Sequence, residues 1–206
     1  IQTGNSLISG GEAELRPYFG EAWEAKHPFN WAERFPQVMR EGGFDVVIGN
    51  PPYIRIQTLD RNSVNYYNKA FKSPTKNYDI YLLFIERGFS LLNSKGNLGF
   101  ILPHKFFQGE MGENIRPHLY ENKAINRIVD FTTNQVFESA TTYTCLLFLS
   151  KERNKYFLYK RFDLGDNFKD LQDVEFDEKD TATLKGSKWN FSDDLVQKIL
   201  SKIYGH

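Results

Sequence analysis

The sequence Phe44-Asp45-Val46-Val47-Ile48-Gly49-Asn50-Pro51-Pro52-Tyr53 joins an apolar run to a proline-rich turn, and it indicates the class of fold. The run over 44–48 predicts a buried strand. The prolines end that strand, because proline donates no N–H and forces the residue before it into an extended conformation. Residues 50–53 therefore lie at the carboxyl end of a strand, where open α/β sheets bind their ligands.

Alternating helix and strand patterns follow this turn along the chain. Apolar residues at helical spacing predict a helix over 79–92, and an apolar run that ends in proline predicts a strand over 98–103. The other predicted elements are helices at about 30–40 and 113–121, strands at 124–131 and 141–150, and a long polar loop at 54–77. This order predicts an α/β fold with a mainly parallel sheet and a closing antiparallel strand.

The chain divides into residues 1–150, which carry this fold, and residues 151–206, in which the strand pattern weakens and charged residues become more frequent. Residues 189–203 have the pattern of an amphipathic helix, with Ser192 as its N-cap. Because the first residue is Ile1 and not methionine, we expect the sequence to be part of a longer chain.

The strand and turn at 44–53 resemble motif IV of the amino-group methyltransferases that use S-adenosylmethionine. Other segments resemble further motifs in the same order: motif III at 4–7, motif V at 77–87, motif VI at 96–106 and motif VIII at 136–145. Together they resemble the second half of the catalytic domain of a gamma-class N6-adenine DNA methyltransferase in a bacterial type IIG restriction–modification enzyme. The resemblance implies a Rossmann-like fold, S-adenosylmethionine as cofactor and double-stranded DNA with a flipped adenine as substrate.

The residue types of the turn suit the methylation of an amine. An exocyclic purine amine is a poor nucleophile, because its lone pair is delocalised into the ring. The Asn50 side-chain oxygen and the Pro51 carbonyl can accept hydrogen bonds from its two N–H groups and draw it toward a pyramidal form. Pro52 stiffens the turn and Tyr53 offers a face for stacking the base, so the resemblance makes residues 50–53 catalytic.

The resemblance also implies roles outside the turn. Phe137 would contact the flipped base opposite Tyr53, unless it is a hydrophobic residue that caps a strand. Phe84 would contact the adenine of the cofactor, unless it is an ordinary helix-core residue. Asn5 would bind the polar edge of that adenine, although the family more often has Asp at this position.

The family's remaining parts are expected outside residues 1–206. The Gly-rich turn that grips the methionine end of the cofactor and the acid that binds its ribose would precede Ile1. A target recognition domain would follow His206, and the full-length chain can also carry a nuclease domain. We therefore expect residues 1–206 alone to be inactive.

Basic residues follow the turn, although the formal net charge of the whole chain is zero and gives no evidence for nucleic acid. A single acid, Asp60, accompanies them. They are candidates for contacts with DNA phosphates, and a solvated loop of any protein can have the same composition. These residues are Arg55, Arg61, Lys69, Lys72 and Lys76.

Several classes of protein are not supported by the sequence. The single cysteine, Cys145, lies in an apolar run, so there is no disulfide framework, and no Cys/His spacing predicts a metal. No apolar run is long enough to span a membrane and no signal peptide is visible, so we expect a cytoplasmic protein. His104 follows a strand end, where a structural role is favoured over a role in the site.

Two alternative functions remain open at this stage. The same tetrapeptide serves methyltransferases that act on a protein glutamine or on an amino group of an RNA base. The segment could also be a non-catalytic domain that only binds DNA or a partner, although the intact turn at 50–53 argues against this for the full-length protein.

Overall fold

A computed structural model describes residues 1–132, 143–162, 170–186 and 188–191. The helices of these ranges are α1 (Glu12–Phe19), α2 (Trp31–Arg34), α3 (Pro36–Arg40), α4 (Arg61–Ala70), α5 (Tyr81–Ser90) and α6 (Ile115–Glu121). The strands are β1 (Phe44–Gly49), β2 (Leu92–Pro103), β3 (Ile125–Asp130), β4 (Thr144–Ser150), β5 (Tyr156–Arg161) and β6 (Asp177–Asp180). Short 3₁₀ turns connect them, among them Gly20–Lys26 and His104–Phe107.

The six strands form one sheet in the order β1-β2-β4-β3-β5-β6. The parallel pairs are β1 with β2 and β3 with β5, while β4 is antiparallel to both of its neighbours and β6 is antiparallel to β5. Strands β1, β2, β3 and β5 therefore run in one direction. This confirms the predicted α/β fold. The described sheet is mixed and not mainly parallel, because three of its five strand pairs are antiparallel, and β4 lies between β2 and β3 instead of closing the sheet at an edge.

Helix α5 packs against one face of the sheet, next to the turn that follows β1. Leu82, Leu83 and Ile85 are fully buried on this helix, and burial of each such side chain contributes about 1.5–3 kcal/mol. Gly88 lets the helix approach β2, because a Cβ there would lie 2.7 Å from a methyl carbon of Leu98. The predicted helix over 79–92 is confirmed, with its regular part at Tyr81–Ser90.

The prediction that β1 is buried is wrong on one face. Val46 and Ile48 are 63% and 84% exposed, and among the described strands β1 has a neighbour only on its β2 side. The start of β1 is nevertheless fixed, because the Phe44 N–H donates to the Leu91 carbonyl at 2.8 Å. An apolar run alone cannot distinguish a strand buried on both faces from one at the edge of the sheet.

Two other predictions are corrected by local backbone chemistry. The helix expected at 30–40 is divided into α2 and α3 at Phe35, whose φ of −132° and ψ of 59° are not helical, because the proline after it disfavours the helical conformation. The segment 54–77 is not a loop without structure, because it contains α4. Asp60 caps that helix by accepting the Ser63 N–H at 2.9 Å, and buried tyrosines instead of aliphatic residues form its inner face.

The sheet continues beyond residue 151, where no strands were predicted. Strand β5 pairs with β3 and carries β6 at its outer edge. Both strands are short, and all four residues of β6 are charged. The predicted amphipathic helix lies mostly outside the described residues, and its first three positions, 189–191, are not helical. Among the residues described, no helix has the length and apolar character needed to cross a bilayer.

Candidate active site

The turn after β1 presents two oxygen acceptors that no described residue occupies. Asn50 is exposed, and its side chain makes no hydrogen bond within the described ranges. Pro51 is buried, yet its carbonyl accepts no hydrogen bond from the same part of the chain. Two adjacent acceptors at the end of a rigid strand suit a ligand group with two N–H donors.

The exit from the turn is anchored to the start of α5. The Ile56 N–H donates to the Tyr78 carbonyl at 3.0 Å, and the Ile80 N–H donates to the Ile54 carbonyl at 2.8 Å. Arg55 and Asp79 face each other in this short antiparallel bridge. The turn is thus held at both ends, by β1 before it and by this bridge after it, which keeps its acceptors in place.

Tyr53 lies half-buried between the turn and α5. Its ring meets that of Tyr81 edge-on, with centroids 6.3 Å apart and planes inclined by 76°. Its hydroxyl is buried and has no hydrogen-bond partner among the described residues. Burial, with a smaller contribution from Cys145, raises the pKa of Tyr53 to about 12, so the phenol stays neutral near pH 7 and cannot act as a base there.

Asn5, Pro52 and Phe84 line one open cleft, which we call the Asn5–Phe84 cleft. Its volume of about 770 Å³ lies within the range of small-molecule sites in proteins. The turn therefore borders the cleft through Pro52. The remaining lining residues are Thr3, Gly4, Leu7, Ala25, Lys26, His27, Leu59, Ser63, Tyr67 and Ile80.

Asn5 is held in this cleft by its own backbone and by its neighbours. Its N–H donates to the His27 carbonyl at 2.6 Å, and its side-chain oxygen accepts the Leu7 N–H at 3.2 Å. Burial raises the pKa of Tyr67, and a hydrogen bond with Asn5 opposes that rise. The wall thus combines a fixed amide and a phenol with the apolar surfaces of Ile80 and Phe84, which suits a flat heterocycle with a polar edge.

No sequence motif indicates Lys26, His27 or Tyr67, which come from segments without a recognisable pattern. Asp130 was also overlooked, although a signal existed: it is a charged residue in the apolar run of β3. Its carboxylate oxygen lies 2.6 Å from Nδ1 of His104, so His104 is part of a polar pair at the carboxyl edge of the sheet.

The five basic residues after the turn are all exposed, and they do not form one compact group on a loop. Arg61 and Lys69 lie near opposite ends of α4, roughly 12 Å apart along its axis at 1.5 Å per residue. Arg55 belongs to the bridge with Asp79, and the backbone N–H of Lys72 donates to Glu86 at 2.9 Å. Their role at DNA phosphates stays a prediction.

Phe137, the second residue expected to contact the base, lies outside the described residues. Within the described ranges, no group of three or more His, Cys, Asp or Glu side chains is arranged to hold a metal ion. The described part of the site is therefore the turn at 50–53 and the Asn5–Phe84 cleft beside it.

Two relatives are similar in sequence. The type II restriction enzyme and methyltransferase RM.Eco57I of Escherichia coli is 41% identical over 162 residues, which are 77% of this chain and 15% of that protein. The type II methyltransferase M.BstVI of Geobacillus stearothermophilus is 28% identical over 124 residues, which are 60% of this chain and 22% of that protein. The chain thus spans less than a quarter of the length of either relative.

Two solved structures share the fold. The cryo-EM structure of a DrdV–DNA complex superimposes with a TM-score of 0.55 and 18% identity, covering 86% of this chain and 20% of that one. The type IIG restriction endonuclease BpuSI gives a TM-score of 0.54 and 14% identity, covering 77% of this chain and 22% of that one. The sequence profile of the Eco57I restriction-modification methylases matches residues 12–137, more than half of the chain, and so the protein belongs to the Eco57I restriction-modification methylase family.

Proposed function

We propose that this chain is the catalytic-turn portion of a site-specific DNA methyltransferase in a type II restriction–modification enzyme. The reaction is the transfer of a methyl group from S-adenosylmethionine to N6 of an adenine in double-stranded DNA. The observation that carries the proposal is the pair of acceptors at Asn50 and Pro51, which no described residue occupies and which border the Asn5–Phe84 cleft through Pro52.

The acceptors would act on the amine of the target base. The Asn50 side-chain oxygen and the Pro51 carbonyl take its two N–H groups, which favours a pyramidal nitrogen with its lone pair free. Asn50 carries no basic group, so its contribution is positioning and electrostatics, and the amine loses its proton after the methyl has moved. Tyr53 and Phe137 would hold the flipped base between them, at the cost of unstacking it from the duplex.

The Asn5–Phe84 cleft fits the adenosine part of the cofactor. Asn5 and Tyr67 supply hydrogen-bonding groups for the edge of the purine, and Phe84 supplies apolar surface for its face. When bound, S-adenosylmethionine supplies an activated methyl group on a sulfonium. Pro52 belongs to the turn and also lines the cleft. A cofactor bound in the cleft would therefore lie next to a base held by the turn.

Recognition of the DNA sequence and any cleavage belong to the full-length protein in this proposal. RM.Eco57I is named as a restriction enzyme and methyltransferase in one chain, and a fused nuclease is proposed here by analogy. We also propose a cytoplasmic location, where such an enzyme would meet the DNA of the cell. The basic residues Arg55, Arg61, Lys69, Lys72 and Lys76 are proposed to contact phosphates on the side of the turn.

A substrate comparison with the full-length protein tests the proposal. Labelled S-adenosylmethionine is supplied with double-stranded DNA, with RNA or with a glutamine-containing protein substrate, and the labelled product is digested and identified. We expect N6-methyladenine in DNA only. Methylated glutamine or methylated RNA would support the alternative functions, and the absence of label in every substrate would reject methyl transfer by this protein.

A further inference from the structure

A second pocket opens at the same edge of the sheet, away from the Asn5–Phe84 cleft. We call it the His104–Arg161 pocket, and its volume is about 220 Å³. His104 follows the last residue of β2, while Asp130 and Arg161 are paired residues at the ends of β3 and β5. Because β1 and β2 are parallel, with Gly49 opposite Phe100, the turn and this pocket lie at the same carboxyl edge.

Asp130, the one acid among the described lining residues of this pocket, is already occupied by donors. One oxygen of Asp130 lies 2.6 Å from Nδ1 of His104 and accepts the Thr132 N–H at 3.0 Å. The other accepts the Tyr159 hydroxyl at 3.4 Å. The carboxylate therefore fixes the imidazole, and Nε2 is the ring nitrogen left for a ligand, since no described residue hydrogen bonds to it.

The rim of the pocket consists of hydrogen-bond donors. Lys105, Gln108, Arg161 and Asn190 are exposed around it, and Lys105 interacts electrostatically with Asp79. Among the described lining residues, Lys105 and Arg161 are cationic and Asp130 is acidic. A concave rim of donors that includes two cationic side chains is suited to an oxyanion.

The floor of the pocket argues against a stacked base. Phe107, Tyr159 and Trp189 are buried, and their rings face other rings. The rings of Tyr159 and Phe191 stack with centroids 4.7 Å apart, and those of Phe107 and Trp189 lie 5.9 Å apart. The apolar floor excludes water below the ligand, which strengthens the electrostatic attraction at the rim.

We propose that the His104–Arg161 pocket binds a backbone phosphate of the DNA strand that carries the target base, an inference that rests on the proposed function. Lys105 and Arg161 supply cationic donors, and Asp130 holds the imidazole of His104 beside them. A phosphate contact beside the catalytic turn fixes the register of the strand without reading its sequence. It would hold the backbone while the base rotates out of the duplex.

The salt dependence of DNA affinity in the full-length protein tests this assignment. We expect Lys105→Gln and Arg161→Gln each to weaken binding of a duplex about 10-fold at about 50 mM salt. Each should also reduce the slope of log affinity against log salt by about 0.9, the value for one phosphate contact. The control is Lys95→Gln, an exposed lysine toward the other end of β2, which should leave affinity and slope unchanged.

In a second experiment, the phosphates of the duplex are replaced one at a time by neutral methylphosphonates. We expect one position near the target base at which neutralisation weakens binding by the wild-type protein about 10-fold and has little further effect on Lys105→Gln. If Arg161→Gln lowers the melting temperature, its weaker DNA binding could reflect partial unfolding. The test then depends on Lys105→Gln and on this scan.

The possible failures are distinguishable. In the first case, the wild-type protein methylates DNA, but Lys105→Gln and the control Lys95→Gln have the same DNA affinity, the same salt slope and the same response to methylphosphonates. The pocket then does not bind a phosphate, and the proposed function stands. If the wild-type protein methylates no duplex, the proposed function fails and this inference fails with it.

Discussion

At the scale of single residues, the chemistry proposed for the turn depends on two oxygen atoms in different environments. Asn50 is exposed and can rotate, whereas Pro51 is buried and rigid, so its carbonyl direction is set by the backbone. Tyr53 is fixed by contact with Tyr81 and by the bridge that follows the turn. The site thus combines one adjustable acceptor with one fixed acceptor.

Replacing Asn50 should remove catalysis without removing binding. In the full-length protein, Asn50→Ala should slow methyl transfer about 10²–10³-fold, or about 3–4 kcal/mol, by analogy with the loss of one oriented donor in an oxyanion hole. Asn50→Asp should retain more activity, because an acceptor oxygen survives. Single-turnover transfer of labelled methyl to a duplex measures this effect.

Cofactor and DNA affinities of both Asn50 variants serve as controls and should stay near those of the wild-type protein. Normal turnover in Asn50→Ala would remove this residue from the reaction and would contradict the assignment of the turn.

Replacing Tyr53 by phenylalanine should change alkaline stability more than base binding. Because the folded-state pKa of about 12 lies above the usual value of 10.0, the folded protein holds this proton more tightly, and stability falls as the pH rises from about 10 to 12. The fall should be smaller in Tyr53→Phe but not absent, since burial also raises the pKa of Tyr78 and Tyr81. Thermal unfolding between about pH 8 and pH 11 measures it.

The stacking face survives in Tyr53→Phe and is lost in Tyr53→Ala. Fluorescence of a base analogue at the target position should therefore report weaker base binding only in Tyr53→Ala, by about 1–3 kcal/mol. Equal losses in both variants would place the hydroxyl, and not the ring, in contact with the base.

At the scale of elements, the sequence predicted those whose pattern is local and strong. Strand β1, helix α5 and strand β4 follow from apolar runs or helical spacing, and their ends follow from prolines and polar residues. Helix α4 was overlooked because its inner face consists of tyrosines, and the edge position of β1 depends on which strands lie beside it. The edge position of β1 is not encoded in a window of neighbouring residues, whereas the tyrosines of α4 are visible in one but are not counted as a typical apolar helix face.

The turn between α3 and β1 contains two glycines that allow a direct test of how β1 is positioned. Gly42 and Gly43 have φ of 100° and 124°, so alanine is strained at both positions. Only at Gly43 would a Cβ also lie 2.4 Å from the Leu91 carbonyl oxygen, whereas at Gly42 the nearest atom is 3.9 Å away. We expect Gly43→Ala to destabilise the protein by at least about 2 kcal/mol more than Gly42→Ala.

Denaturant unfolding of the two variants gives this difference, and the shared strain of positive φ cancels in the comparison. Gly43→Ala should also reduce methyl transfer, because β1 carries the turn at its other end. Equal stabilities would mean that the start of β1 can move away from Leu91 without cost.

At the scale of the whole molecule, the carboxyl edge of the sheet brings together residues that are distant in sequence. The turn after β1, His104 after β2, Asp130 at the end of β3 and Arg161 at the end of β5 all lie there. Family motifs drew attention to the turn and to Asn5 and Phe84, which line one cleft and are proposed to bind the cofactor. The sequence did not locate the His104–Asp130 pair, because that contact spans 26 positions and arises only when β4 is inserted between β2 and β3.

The composition of the Asn5–Phe84 cleft predicts how a chain limited to residues 1–206 binds the cofactor. Its described lining contains Lys26 and His27 but neither Asp nor Glu, so it offers no carboxylate to the ribose hydroxyls or to the cationic methionine end. Affinity for S-adenosylmethionine should therefore come from the adenine contacts alone, and we expect a dissociation constant above about 100 μM, or a binding free energy weaker than about −5.5 kcal/mol. Titration calorimetry measures it, and in the full-length protein Phe84→Ala should weaken binding while Asn50→Ala should not. Low-micromolar affinity in residues 1–206 would mean that this cleft is sufficient for the whole cofactor.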